Sequence, residues 1–146
     1  MPDQFDLDRF VAAQDQVIEQ VRRELTEGRK RTHWMWFVFP QLSGLGHSAM
    51  ARRYAIASLD GAGAYLRHPV LGARLVECSE LVNRVEGRSI NEIFGSPDHL
   101  KFHSCMTLFA SVPDSPPVFM AALARHFGGA PDRLTAEKLV LMRAVS

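Results

Sequence analysis

The stretch HWMWFVFPQLSGLG, residues 33 to 46, concentrates the side chains of this 146-residue chain that could do chemistry. Trp34 and Trp36 offer flat faces on which a planar ligand can stack. His33 is a proton carrier near neutral pH. Gln41 is a neutral amide directly after a buried aromatic run, and its polar atoms need partners from the turn backbone or from a ligand edge. The turn that follows, GLGHSA, formally fits the G-x-G-x-x-[GA] pattern of pyrophosphate-binding loops. However, Pro40 to Ser43 separate it from the apolar run. No acid stands about twenty residues on, and no βαβ units follow, so a dinucleotide fold is not expected. A looser reading keeps the amides of residues 46 to 49, at a helix start, as an anion cradle, with a plain tight turn as its rival.

Other constellations carry less. Arg29, Lys30 and Arg31 beside the aromatic run resemble single-stranded nucleic-acid surfaces. Glu24 and Glu27 dilute that charge, and a helix C-terminus favours cations in any case. His99 and His103 stand at i and i+4 in HLKFH, the spacing of a zinc pair, but Leu100 replaces the glutamate of the metalloprotease pattern and no third ligand is evident. No metal or cofactor is therefore expected. There is no G-x-S-x-G, and Cys78 and Cys105 fall in apolar helical stretches where thiols are inert.

The composition is that of an ordinary globular chain: 47% hydrophobic, 23% charged, formal net charge +1. With no global field, nucleic acid and anionic membranes are unexpected partners. The longest apolar run, Trp34 to Phe39, cannot span a bilayer, and MPDQFDLDRF lacks the basic start of a signal peptide, so a cytoplasmic location is expected. The length suits a single domain, 1–146.

The apolar periodicity is helical throughout. Phe10, Gln14, Val17, Val21 and Leu25 predict one helix of about five turns, capped by Asp6 or Asp8 and stopped by Gly28. Residues 33–39 resist assignment, with a short extended segment and an irregular helical turn equally open. Ser48 or His47 can start a helix toward Ala57, and Asp60 the next. His68-Pro69 precedes a stripe from Leu71 to Val85. SINE, residues 89–92, matches a capping box, and Ser96-Pro97 precedes a helix carrying Phe102, Met106 and Phe109. Phe119 to Phe127 and a tail from Thr135 to Ser146 complete a predicted all-α, compact bundle of about seven helices.

Together HWMWFVFPQLSGLGHS, AYLRHPVLGARL, IFGSPDHLKFHSCMTLF and FMAALARHFGGAPDRLT resemble the bacterial domain-of-unknown-function family 1810 over about residues 5–136. The resemblance implies a mostly helical domain and no established activity. Its polar signature falls on His33, Gln41, Ser48, Arg74, Asp98, Lys101 and Ser104. Asp98, Lys101 and Ser104 follow one another by single helical turns and share a face. A short likeness to helical proteins that process ADP-ribose rests on HPVLGAR and FGSPDH.

These readings converge on a pocket around residues 33–48 and 98–104 for a nucleotide-like or ADP-ribose-like small molecule. In the enzyme version Asp98 and His33 are the catalytic candidates, with Asp98 polarising water. Trp34 or Trp36 stacks the base and Gln41 reads its edge. Ser48, Arg74, Lys101 and Ser104 supply the remaining polar contacts. The alternative is a non-catalytic interaction or structural module, and exposed aromatics would favour a homodimer.

Overall fold

The computed structural model describes residues 3–145; the first two residues of the acidic leader and Ser146, at the end of the predicted tail helix, lie outside them. Ten helices occur among the described residues, three more than predicted: α1 (Asp8–Asp15), α2 (Ile18–Glu27), α3 (Met35–Val38), α4 (Ala49–Arg53), α5 (Leu59–Arg67), α6 (Leu71–Arg84), α7 (Ile90–Phe94), α8 (Asp98–Ala110), α9 (Val118–Phe127) and α10 (Arg133–Val145). The all-α class holds. Residues 35–38 form a helical turn, not an extended piece. Among the described residues the one extended pairing is a single parallel bridge between Leu42 and Ile56, closed by Ser43 N–H to Ile56 O and Ile56 N–H to Gln41 O, both 2.8 Å.

One extra helix comes from a break that periodicity does not register, and another is the turn at residues 35–38. The long N-terminal helix is two helices. Val17 adopts φ −129° and interrupts the ladder between α1 and α2, its amide turning back to Gln14 O at 2.9 Å. Phe10, Val21 and Leu25 stay fully buried across the break, so the apolar stripe survives it. Neither Asp6 nor Asp8 caps α1. Asp3 does so, its two carboxylate oxygens accepting from the amides of Leu7 and Asp8 at 2.8 Å, while Asp6 is a left-handed turn residue at φ 50°. Likewise Ser58, not Asp60, caps α5, through Gly61 N–H. No side chain caps α8, which follows Pro97 directly. The capping box at Ser89 and Glu92 forms as predicted, and Ser48 accepts from Ala51 N–H at the start of α4.

α6 and α8 are the inner helices. α6 packs on α2, α5 and α9, and α8 packs on α5, α7, α9 and α10. Phe102, Cys105, Met106, Leu108 and Phe109 of α8 are wholly buried, which explains a helix apolar nearly all round. Aromatic edges tie the layers: Phe102 stacks on Phe94 at 4.8 Å between ring centres and meets Phe39 edge-on at 5.0 Å. Polar Gln14 bridges the elements inside this core. Its amide nitrogen donates to Phe37 O at 2.7 Å and to Tyr65 Oη at 2.9 Å, so a buried amide is satisfied by α3 and α5 together. No helix among the described residues is long and apolar enough to cross a membrane.

α5 and α6 approach so closely at their corner that a Cβ on Gly72 would lie 2.0 Å from the backbone oxygen of Leu66. Only glycine fits. Gly72→Ala forces the two helices apart and is expected to cost about 3 kcal/mol, a fall of roughly 10 °C in Tm. Gly87→Ala, with open space around it but φ +76°, should cost about 1 kcal/mol. Thermal unfolding of both variants checks the order, and a Gly72→Ala protein as stable as wild type would refute this account of the corner.

Candidate functional site

The aromatic segment is positioned by one buried acid. Glu24, on the apolar side of α2, has no exposed surface. Gly28 ends α2 in the left-handed conformation at φ 77°, and the chain then doubles back so that residues 31–34 surround the Glu24 carboxylate. Oε1 accepts from the amides of Arg31 (2.6 Å) and Thr32 (3.0 Å) and from Trp34 Nε1 (3.1 Å). Oε2 accepts from Thr32 Oγ1 (2.6 Å) and Gln20 Nε2 (2.9 Å). Burial alone would push the acid up, but these donors outweigh it and hold its pKa down to about 2.

That turn sets Lys30. Its amide donates to Ile93 O at 2.7 Å, docking it on the end of α7, and its side chain is only 7% exposed. Lys30 Nζ stands 2.9 Å from Asp98 Oδ2 and 5.1 Å from the Trp34 ring centre. One turn along α8, Lys101 Nζ stands 3.3 Å from Asp98 Oδ1 and 5.5 Å from the centre of the half-buried Trp36 ring. A single carboxylate thus faces two ammonium groups at the first turn of α8, beside an indole. One positive charge is left over locally, and the helix start adds to it. The arrangement can hold an anion attached to a planar group. As a base it is poorly free, because each Asp98 oxygen is already shared with a lysine.

The predicted residues divide accordingly. Trp36, Asp98 and Lys101 come together. Trp34 does not serve as a stacking wall: it is 1% exposed, and its ring packs against Phe39 and Phe94. His33 is exposed at the rim of the segment, and Gln41 is half-buried with no side-chain hydrogen-bond partner among the described residues. The side-chain oxygen of Gln41 lies 3.8 Å from where a Gly46 Cβ would stand. Ser48 is engaged in its helix cap. Arg74 points elsewhere, to Asp15 at 2.8 Å and Gln14 at 3.4 Å, because α6 faces α1 there. Ser104 faces α10, donating to Leu100 O and Asp132 Oδ2. The same Asp132 oxygen accepts from Thr135 N–H and Oγ1, so Ser104 fastens the start of α10.

The histidines of HLKFH are turned to separate carbonyls, His99 to Gly95 and His103 to Ala130, and His103 stacks on Phe127. Burial pushes the Cys78 thiol up to about 12 and Cys105 well above its usual range, in keeping with inert thiols.

From sequence, Glu24 and Lys30 read only as charge at the end of a helix, and Lys138 does not stand out. Glu24 carried a signal, since it falls on the same helix face as Val21, Leu25 and Gly28. The lysines carried another. Of 17 basic residues only Lys30, Lys101 and Lys138 are lysine, and all three lie against the 34–44 segment: Lys138 Nζ sits 2.6 Å from where a Gly44 Cβ would stand. A separate concavity lies elsewhere. A cleft of about 930 Å³ opens between α5, α6 and the 112–116 loop.

A family model described as protein of unknown function (DUF1810) matches residues 4–139. No curated protein matches the chain. The chain is similar to the conserved hypothetical protein Rv1873 from Mycobacterium tuberculosis, whose crystal structure superposes with a TM-score of 0.93 at 59% identity, covering 94% of this chain and 99% of that one.

Two groups carry the large shifts in the acid range. Burial, with Arg125 adding to it, lowers His126 to about 4, so the fold holds it neutral and loses stability as pH falls from about 6.5 to 4. Glu24 is held ionised, so its contribution is complete above about 4.5 and lost as pH falls toward 2, on the order of 3 kcal/mol in all. Urea unfolding across pH 2–7 should show both limbs. Glu24→Gln should flatten the lower one, and an unchanged lower limb in that variant would remove Glu24 as its source.

Proposed function

The chain belongs to the family of proteins of unknown function DUF1810, and from its own residues we propose that the surface around Trp36 and Lys101 binds a small nucleotide-like ligand. The observation that carries this reading is the pair of ammonium groups sharing the single carboxylate of Asp98 next to a half-buried indole. A planar base packs on the open part of Trp36. Its phosphate takes Lys101, which is 25% exposed and trades part of its contact with Asp98 for the ligand. The unpartnered amide of Gln41 reads an edge of the ligand, and His33 lines the rim. ADP-ribose and mononucleotides are the first compounds to try.

Asp98 acts in this reading by holding both lysines in place, not by activating water. Lys30 is the fixed member of the pair and Lys101 the adjustable one, as their exposures of 7% and 25% suggest. Binding without turnover is therefore the expected behaviour, and a protein or peptide ligand using the same surface is the competing outcome.

Thermal unfolding with AMP, ADP-ribose, NAD and inorganic phosphate tests the proposal. A ligand at a hundred times its Kd stabilises by about 2.7 kcal/mol, several degrees at this size. The shift should disappear in Lys101→Met and Trp36→Leu and shrink in Gln41→Ala, with each unliganded variant melting within a few degrees of wild type. No shift with any compound, or equal shifts in wild type and Lys101→Met, would overturn the assignment.

A further inference from the structure

The cleft between α5, α6 and the 112–116 loop shares no lining residue with the Trp36 surface. Its apolar floor is formed by Leu66, Val76, Leu81 and Val112. Five charged side chains line it, and most of that charge is met within the protein. Glu77 receives Arg22 at 3.0 Å, and Glu80 receives Arg84 at 3.4 Å. Arg67 and Asp114 are left, and neither has an ion pair or side-chain hydrogen bond among the described residues.

Both charges line the same cleft. A Cβ built on Gly63 would lie 3.0 Å from Arg67 Nη1 and 3.7 Å from Val112 Cγ1. The guanidinium therefore lies over Gly63 and beside Val112, in space that the missing side chain leaves open. Asp114 follows two residues later on the same loop, left-handed at φ 61° and next to Pro113. A cation and an anion thus stand around one apolar patch without neutralising each other. A simple anion would satisfy Arg67 and leave Asp114 facing it with like charge; a simple cation would do the reverse. A ligand bearing both charges answers both.

We propose that this cleft binds a zwitterion with an apolar body, the chemical class of short apolar peptides with free ends. The ligand carboxylate meets the Arg67 guanidinium in a two-pronged contact. Its ammonium meets Asp114, and its aliphatic side chains cover Leu66, Val76 and Leu81. The volume of about 930 Å³ is ample for a dipeptide.

Isothermal titration of the full chain with dileucine, N-acetyl-dileucine and dileucine amide tests the assignment. Free dileucine should bind about tenfold more tightly than either blocked form, since each loses one charged contact. Arg67→Gln should abolish the preference over the amide only. Asp114→Asn, which retains a residue tolerant of the left-handed conformation, should abolish the preference over the acetylated form only. Both residues are exposed, so wild-type unfolding curves are expected and serve as the control on folding. Equal binding of all three forms by the wild type, no binding of dileucine at millimolar concentration, or preferences unchanged in both variants would overturn the proposal. None of these results bears on nucleotide binding at Trp36.

Discussion

The buried carboxylate of Glu24 is the constraint on which the placement of the aromatic segment and its lysines rests. A charge without solvent contact is tolerated only when donors surround it, and here four of the five donors come from residues 31–34 after α2 and the fifth from Gln20, one turn back on α2 itself. Satisfying the carboxylate dictates the path of residues 29–34. Once that path is set, Lys30 reaches Asp98, Trp34 enters the core with its N–H already bonded, and α3 begins where the aromatic segment must turn. Taking the acid away would leave the Trp34 indole and two backbone amides without acceptors in a dry environment, which costs more than any one of those bonds contributes when formed.

The same constraint separates the two tryptophans. With Trp34 Nε1 held by Glu24, the four residues of α3 carry Met35, Phe37 and Val38 inward, and Trp36 alone is left at the boundary. An indole in that position is partly open to solvent, and Lys101 stands over its ring from α8. Ring, ammonium and carboxylate are therefore brought together by three elements that are themselves fixed by core packing: α3 through Phe37 and Val38, α7 through Ile93 and Phe94, and α8 through Phe102. A site assembled this way is preorganised without depending on a long loop.

Much of this was legible in the sequence, and the pattern of what was not is physical. Caps written as local pairs, Ser48 with Ala51 and Ser89 with Glu92, were readable because both partners lie within one turn. Gly28 as a stop and the all-α class were readable for the same local reason. The break at Val17 was hidden because burial of Phe10, Val21 and Leu25 continues across it, so hydrophobic spacing looks like one helix. Trp34 and Trp36 could not be told apart because the difference lies in a partner ten residues back. Arg74 and Ser104 were misplaced because a helix face is shared with whichever element packs there: α1 meets Arg74 and α10 meets Ser104, and neither neighbour is encoded near them. Family resemblance marked seven polar residues without distinguishing those that hold the fold, as Arg74, Ser48 and Ser104 do.

The choice of lysine around Asp98 has a geometric reason. This chain meets its other cationic needs with arginine, as in the clip where Arg9 donates to the carbonyls of Phe5, Asp6, Arg53 and Ala55. A planar fork suits several fixed acceptors at once. Around Asp98 the requirement is different: two cations must approach one carboxylate from two elements, and a pair of guanidinium planes would compete for the same bidentate face. Compact ammonium groups can each take one oxygen and still lie near a ring. They also have donors to spare, so a second acceptor can be added at Lys101 without undoing the contact that Lys30 keeps. Every lysine of the chain lies along the 34–44 segment, where an ammonium can hold charge at close range and keep donors to spare.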